Sequence, residues 1–339
     1  MQQAVGDSFH GLPVIDVSAL VGGGARRFEV AAAIAQACRD VGFFYVVGHG
    51  VDAGLQDELV DASRRFFARP LEEKLEISMA RGGRAWRGYF PVGAELTSGR
   101  PDAKEGIYFG SELPDAHPLV AAGTPLHGAN LWPSGLPELR SAVLAYLDAL
   151  TGLGHALLRG VALGLELEES YLEERYTKDP LVLFRIFNYP ALPATSRDAS
   201  RGVGEHTDYG LLTVLKQDES GGLEVESRDG WVEARPIPGS FVCNIGDMLD
   251  RMTRGRYRST PHRVRNRAAH DRLSFPFFFD PGWHAEVRPI ETCRGDPPRN
   301  DARWDGADVH VLDGTYGEYV LRKIAKVFPA LSGALTPER

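Results

Sequence analysis

Cysteine is scarce in this chain. Cys38, Cys243 and Cys293 are three in 339 residues, far apart and odd in number, which excludes a disulfide framework, and no Cys-x-x-Cys pair is present to build a zinc knuckle. A reducing cytoplasm is the expected setting. No apolar run is read as approaching the ~20 residues of a membrane span. Residues 1–12 are neither basic nor apolar enough for a signal peptide. Positive charge is not in excess: 38 Lys and Arg stand against 46 Asp and Glu, a net charge of −8. That argues against nucleic acid as a partner and leaves any anionic ligand to local arginines. There is no His-Glu-x-x-His run, which removes the commonest zinc-hydrolase layout. No heptad pattern suggests a coiled-coil dimer, and no obligate protein partner is expected.

What is present is a chain of ordinary globular composition with clear periodicities. Leu12-Pro-Val-Ile-Asp16 reads as an edge strand. Val30, Ile34, Ala37, Cys38 and Val41 fall at helical spacing between Arg27 and Val41, and Gly42 ends the run. Phe43-Phe-Tyr-Val-Val47 reads as a buried strand, and Leu55, Leu59, Phe66 and Phe67 mark a second helix before Pro70. The first 80 residues are thus expected to run β-α-β-α. Residues 81–135 are rich in Gly and Pro and read as irregular. A long helix is expected from about Leu136 to Leu165. After Pro180 short strands follow at regular intervals: 181–189, 210–217, 222–226, 230–235, 240–245, 256–265 and 271–279, with Asp229-Gly230 and Pro238-Gly239 as turns. A last helix is expected from Gly317 to Val327. The fold class is α+β: a double-stranded β-helix, or jelly roll, buttressed by helices.

His206-Thr-Asp208 lies between two of these strands. Side chains two apart on an extended backbone share a face, so an imidazole and a carboxylate can meet one metal. His262 lies on a later strand. Two His and one carboxylate leave positions open for co-substrate and O2, the ligand set of non-haem Fe(II) oxygenases. Arg272-Leu-Ser274 begins ten residues after His262. Arg272 and Ser274 share a face of an apolar strand, where a guanidinium needs an anionic partner. A guanidinium fork plus a hydroxyl suits the distal carboxylate of 2-oxoglutarate.

With these segments in hand, the chain resembles the isopenicillin-N-synthase-like family of Fe(II)/2-oxoglutarate oxygenases. The matching runs are Leu12-Pro-Val-Ile-Asp16, Gly42 to Gly50, Pro70-Leu-Glu-Glu-Lys74, Gly88-Tyr89, Asp102-Ala-Lys-Glu105, His206 to Thr213, Pro238 to Asp247, His262-Arg-Val264 and Arg272-Leu-Ser274, in family order over most of the chain. The resemblance implies that His206, Asp208 and His262 bind iron and that Arg272 and Ser274 hold 2-oxoglutarate, with Tyr189 assisting. It also implies four segments packed as one unit: a non-haem dioxygenase N-terminal part (1–115), a helical support (116–178), the jelly-roll core (179–285) and a C-terminal extension (286–339). The chain departs from many plant members at Phe187, where they carry Asn; here Asn188 is shifted by one. Asn244, Gly246 and Asp247 read as turn and strand-end structure, and His49, between two glycines, as a structural cap.

The implied reaction couples decarboxylation of 2-oxoglutarate, to succinate and CO2, with oxidation of a C–H bond in a small organic substrate. Hydroxylation is the usual outcome. Tyr89, Tyr108, Phe184, Phe187 and Phe279 are candidate pocket residues, with Trp86 and Phe277 beside them, and Arg84, Arg87 and Arg100 are candidates to meet an acidic substrate. Two alternatives stay open from the residues alone: a same-fold oxidase that does not use 2-oxoglutarate, and a non-catalytic metal-binding jelly roll.

Overall fold

A computed structural model describes residues 8–9, 11–191, 202–266, 269–294, 308–311 and 314–328. Much of the expected C-terminal extension therefore lies outside the described residues. The strands are β1 (Ser8–Phe9), β2 (Leu12–Asp16), β3 (Phe43–Val47), β4 (Gly88–Phe90), β5 (Leu96–Thr97), β6 (Arg100–Pro101), β7 (Glu105–Gly110), β8 (Leu181–Tyr189), β9 (Val203–His206), β10 (Leu212–Gln217), β11 (Leu223–Ser227), β12 (Gly230–Glu233), β13 (Phe241–Ile245), β14 (His262–Val264) and β15 (Arg272–Asp280). They form a nine-stranded sheet in the order β1-β2-β3-β13-β10-β15-β8-β7-β4, a four-stranded sheet β12-β11-β14-β9, and the small pair β5-β6. Every pairing is antiparallel except β2 with β3.

The helix Pro137–Gly164 supports the large sheet and packs against the helices Arg27–Asp40 and Ala53–Phe67. The expectation that no segment is long and apolar enough to span a membrane is corrected by this helix, which passes on length and composition. Its apolar stripe (Leu139, Val143, Tyr146, Leu150, Leu157 and Val161) is buried in the protein core, so its apolarity is explained by packing. Gly154 faces the Phe279 ring so closely that a Cβ would stand 2.7 Å from it, which sets the helix tight against β15.

The stretch 81–135, read as irregular, holds four strands, and β7 is buried along its whole length inside the large sheet. Glu105, Gly106 and Gly110 break its apolar pattern. Gly106 has a packing cause: a Cβ there would meet the rings of Phe187 and Phe90 at 2.7 and 2.8 Å. Only His262–Val264 of the expected strand 256–265 joins a ladder. Upstream, Arg258 N–H donates to Cys38 O and Ser259 N–H to Asp250 Oδ2, so that backbone is satisfied outside a sheet.

Candidate metal centre and cavity

Register builds the site. In the small sheet His206 at the end of β9 is directly paired with His262 at the start of β14, and the two rings lie 4.2 Å apart, centroid to centroid. Asp208 follows just past the end of β9. The candidate ligand atoms of His206, Asp208 and His262 all lie within 4.8 Å of one another, a group that could hold a metal ion. The Nδ1 atoms are engaged locally, His206 with Gly204 O at 2.8 Å and His262 with Thr260 O at 3.2 Å. That leaves each Nε2 facing Asp208 Oδ1, at 3.9 and 3.7 Å. Asp208 is oriented the same way. Its Oδ2 accepts from Thr213 Oγ1 at 2.5 Å and Asn244 Nδ2 at 2.7 Å, which frees Oδ1. Thr213 and Asn244 are themselves a cross-strand pair of β10 and β13.

The electrostatics suit a cation. Burial, with the neighbouring His262, lowers His206 to about 4, so its ring is the neutral donor a metal needs. Burial pushes Asp208 up, but His262, His206 and the two hydrogen bonds outweigh it and hold the carboxyl below its usual range.

A cavity opens on the triad between the two sheets. It is lined by alternate residues of β8 (Leu183, Arg185, Phe187, Tyr189) and of β15 (Ser274, Pro276, Phe278, Asp280). Arg272, paired in register with Tyr189, lies under it with its Cζ 4.7 Å from the Tyr189 ring centroid. It is 1% exposed; Nε donates to Gly221 O, while Nη1 and Nη2 have no hydrogen-bond partner among the described residues. Buried N–H groups left open in this way mark a place for an anion.

Of the expected pocket residues, Tyr108, Phe187 and Trp86 line the cavity. Phe184, Phe277 and Phe279 do not: they have the wrong parity on β8 and β15, and Phe184 and Phe279 pack against Tyr146 and His155. Tyr89 is also off the cavity, its hydroxyl bonded to Glu105 Oε2. The parity that groups Arg272 with Ser274 leads on to Phe278 and excludes Phe277 and Phe279. Of the arginines, Arg84 bonds Gly123 O, Arg87 bonds Leu126 O and Arg100 is exposed; none lines the cavity. Asn244 does lie at the end of β13 and also bonds Asp208, while Gly246 and Asp247 serve the turn, Asp247 accepting from the Ser259 and Tyr319 hydroxyls. His49 bridges Gly239 O and the Val51 N–H. Asn188 turns away from the cavity to Glu105 Oε1, which leaves Phe187 in the slot. Glu95, Lys104, Arg185 and Tyr209 also line the cavity and were not anticipated from sequence.

Two family descriptions match the chain. One is "non-haem dioxygenase in morphine synthesis N-terminal", over residues 12–135, and the other is "2OG-Fe(II) oxygenase superfamily", over residues 180–281. A protein of Dictyostelium discoideum described as a probable iron/ascorbate oxidoreductase is 47% identical, over 94% of this chain and 95% of its own length. This chain belongs to the 2OG-Fe(II) oxygenase superfamily. Within the superfamily it is also similar to a homoarginine-6-hydroxylase of Arabidopsis thaliana, 36% identical over 94% of this chain and 90% of the other. A full-length Neurospora crassa protein, crystallised in complex with alpha-KG (2-oxoglutarate) and 5-formyluracil, superposes with a TM-score of 0.77 at 26% identity, covering 96% of this chain and 99% of that one. The jelly-roll core is that of the superfamily. The protein is an Fe(II)- and 2-oxoglutarate-dependent oxygenase.

Proposed function

We propose that His206, Asp208 and His262 hold the iron and that Arg272 and Ser274 seat the distal carboxylate of 2-oxoglutarate, with hydroxylation of the prime substrate as the outcome. The observation that carries the reading is the pair of open, buried N–H groups on Arg272 beside a cavity that ends on the triad. A dicarboxylic co-substrate with one end at the metal and the other at that fork would satisfy both charges. Iron, 2-oxoglutarate and O2 together supply the oxidising chemistry. The chain's own residues orient and shield. Thr213 and Asn244 fix the Asp208 carboxylate, Gly204 O and Thr260 O fix the two imidazoles, and Tyr189 covers the Arg272 guanidinium. Helix Tyr316–Val327 and Phe328 line the cavity with Val320, Ile324 and Val327, an apolar wall across from the triad. The N-terminal strands belong to the same reading. β3 and β7 flank the core strands in the large sheet, so the N-terminal part serves as wall rather than as a separate module.

The test is an anaerobic titration of the Fe(II)-loaded protein with 2-oxoglutarate, followed by the visible charge-transfer band. A saturable band that Arg272→Ala weakens is the expected result. Iron retained without any band would turn the reading to a second one, supported by the similarity to a probable iron/ascorbate oxidoreductase, in which ascorbate is the electron source.

A further inference from the structure

Two residues that line the cavity keep a buried N–H with no hydrogen-bond partner among the described residues: Arg185, at Nε, and Trp86, at Nε1. The charge of Arg185 is answered inside the protein, by the Tyr108 and Phe278 rings over its guanidinium at 4.2 and 4.7 Å and by Glu95 Oε1 at 3.6 Å. Trp86 has no such compensation. It is 3% exposed, and its ring meets that of Phe328 edge-on, 5.7 Å between centroids. A buried indole normally finds an acceptor, because a dry, unpaired donor has lost the hydrogen bond that water gave it. The backbone is special at the same residue. Trp86 has φ 60° and ψ 46°, a left-handed conformation that a bulky side chain seldom adopts, and it ends the helical run Met79–Ala85 where glycine is usual. Its neighbours hold it there. Arg84 Nε donates to Gly123 O at 2.6 Å, Leu126 N–H to Arg84 O at 2.8 Å and Arg87 Nη2 to Leu126 O at 2.8 Å. Arg84 and Arg87 are thus tied to the turn at 123–126, and Trp86, between them, is the one that lines the cavity. Backbone strain that the surroundings enforce is a feature of ligand sites.

We propose that the Trp86 indole N–H donates to a carbonyl oxygen of the prime substrate, so that Trp86 selects uncharged carbonyl compounds with an apolar skeleton. The proposal rests on the assignment of iron to the triad and of 2-oxoglutarate to Arg272. An indole can only donate, so the substrate must bring the acceptor. Trp86 shares the cavity wall with Ile324, Val327 and Phe328, which suit an apolar skeleton and offer no charge. A carboxylate seated on the indole alone would have no cation to offset its desolvation. A carbonyl needs one donor and no counter-charge.

The experiment uses the Fe(II)- and 2-oxoglutarate-loaded protein under anaerobic conditions. Isothermal titration calorimetry is run with 1-indanone, 1-tetralone and 4-phenyl-2-butanone and with their carbonyl-free counterparts indane, tetralin and butylbenzene. The quantity read is the ratio of ketone to hydrocarbon affinity, in the wild type and in Trp86→Phe, which keeps a flat ring and deletes the N–H. The expected result is that the ratio falls by roughly three- to tenfold in the variant, the worth of one neutral hydrogen bond, while the 2-oxoglutarate band stays in place. A purely structural tryptophan would weaken ketone and hydrocarbon alike and leave the ratio unchanged, which overturns the proposal. No ketone binding to the wild type overturns it too. Loss of the 2-oxoglutarate band in Trp86→Phe overturns it by moving Trp86 to the co-substrate. A wild-type protein that gives no band overturns the 2-oxoglutarate reading instead, and the ratio measured on the Fe(II) protein still decides for or against the indole. Should Trp86→Phe fail to fold, the chain grown with β-(3-benzothienyl)alanine in place of tryptophan makes the same N–H deletion with the ring size kept. Trp86 is the only described tryptophan that lines the cavity, so the same ratio decides.

Discussion

At the end of the cavity proposed to hold the metal, the side chains come from one stretch of chain, His206 to Ser274, in which facing residues of neighbouring strands work as pairs. His206 stands opposite His262, and Thr213 opposite Asn244 on the same carboxylate. At the opposite end the wall is gathered from far apart: Trp86 and Glu95, Lys104 just before β7, Arg185 on β8, and the helix Tyr316–Val327. A metal site must satisfy fixed ligand distances, so short, register-locked pairs suit it. A substrate wall has only to complement one molecule, and it can change one segment at a time without moving the triad. The two ends should therefore fail separately when mutated.

The largest effect is expected for Asp208→Ala, which removes the only carboxylate of the triad and the acceptor of both Thr213 and Asn244. No iron should remain after desalting, as read by metal analysis, and 2-oxoglutarate consumption should vanish. Next comes Arg272→Ala. Two charge-assisted hydrogen bonds at ~1.5–3 kcal/mol each predict a loss of 2-oxoglutarate affinity of at least roughly 10²-fold, with iron retained. If a change at the wall, such as Trp86→Ala, did the same, the two ends would not be independent and the comparison would break. Asn244→Ala should be milder: a lost partner of the ligand carboxylate costs about 10–100-fold in metal affinity, measured by competition with a chelator.

How far each end could be read from sequence follows from how it is built. His206, Asp208, His262, Arg272 and Ser274 sit in short runs whose two-residue spacing already says which side chains share a face. Core strands β8, β13 and β15 were legible within a residue, because predominantly apolar runs signal strands buried on both faces. The wall was not legible. Arg185 sits in the middle of an apolar strand, and nothing local tells that its N–H edge stays open; that depends on Tyr108 and Phe278, two other strands. Strand β7 escaped because Gly106 makes room for two rings remote in sequence. The bond from Asn244 to Asp208 was not legible because its partner is 36 residues away. Contacts made across the sheet leave little trace in the local pattern.

Asp280 joins the two ends and gives the smallest but most diagnostic effect. It shares the cavity face of β15 with Ser274 and Phe278, accepts from the Tyr316 hydroxyl of the C-terminal helix, and occupies space that a side chain at position 210 would need. Burial pushes its carboxyl up from 3.8 to about 7; the Tyr316 bond opposes this and the Asp208 charge adds to it. The sign of the pH effect follows from proton counts. Between those two values the unfolded chain has released the proton while the folded metal-free protein keeps it, so stability falls as pH rises across that window. Asp280→Asn removes the penalty. In thermal unfolding of the metal-free protein the variant should gain on the wild type as pH rises from 4 to 7, and the gain should level off above about 7. A melting difference that does not change with pH would rule out this protonation. Loading with Fe(II) should shrink the difference, because a cation at the triad offsets the Asp208 charge that helps keep Asp280 protonated.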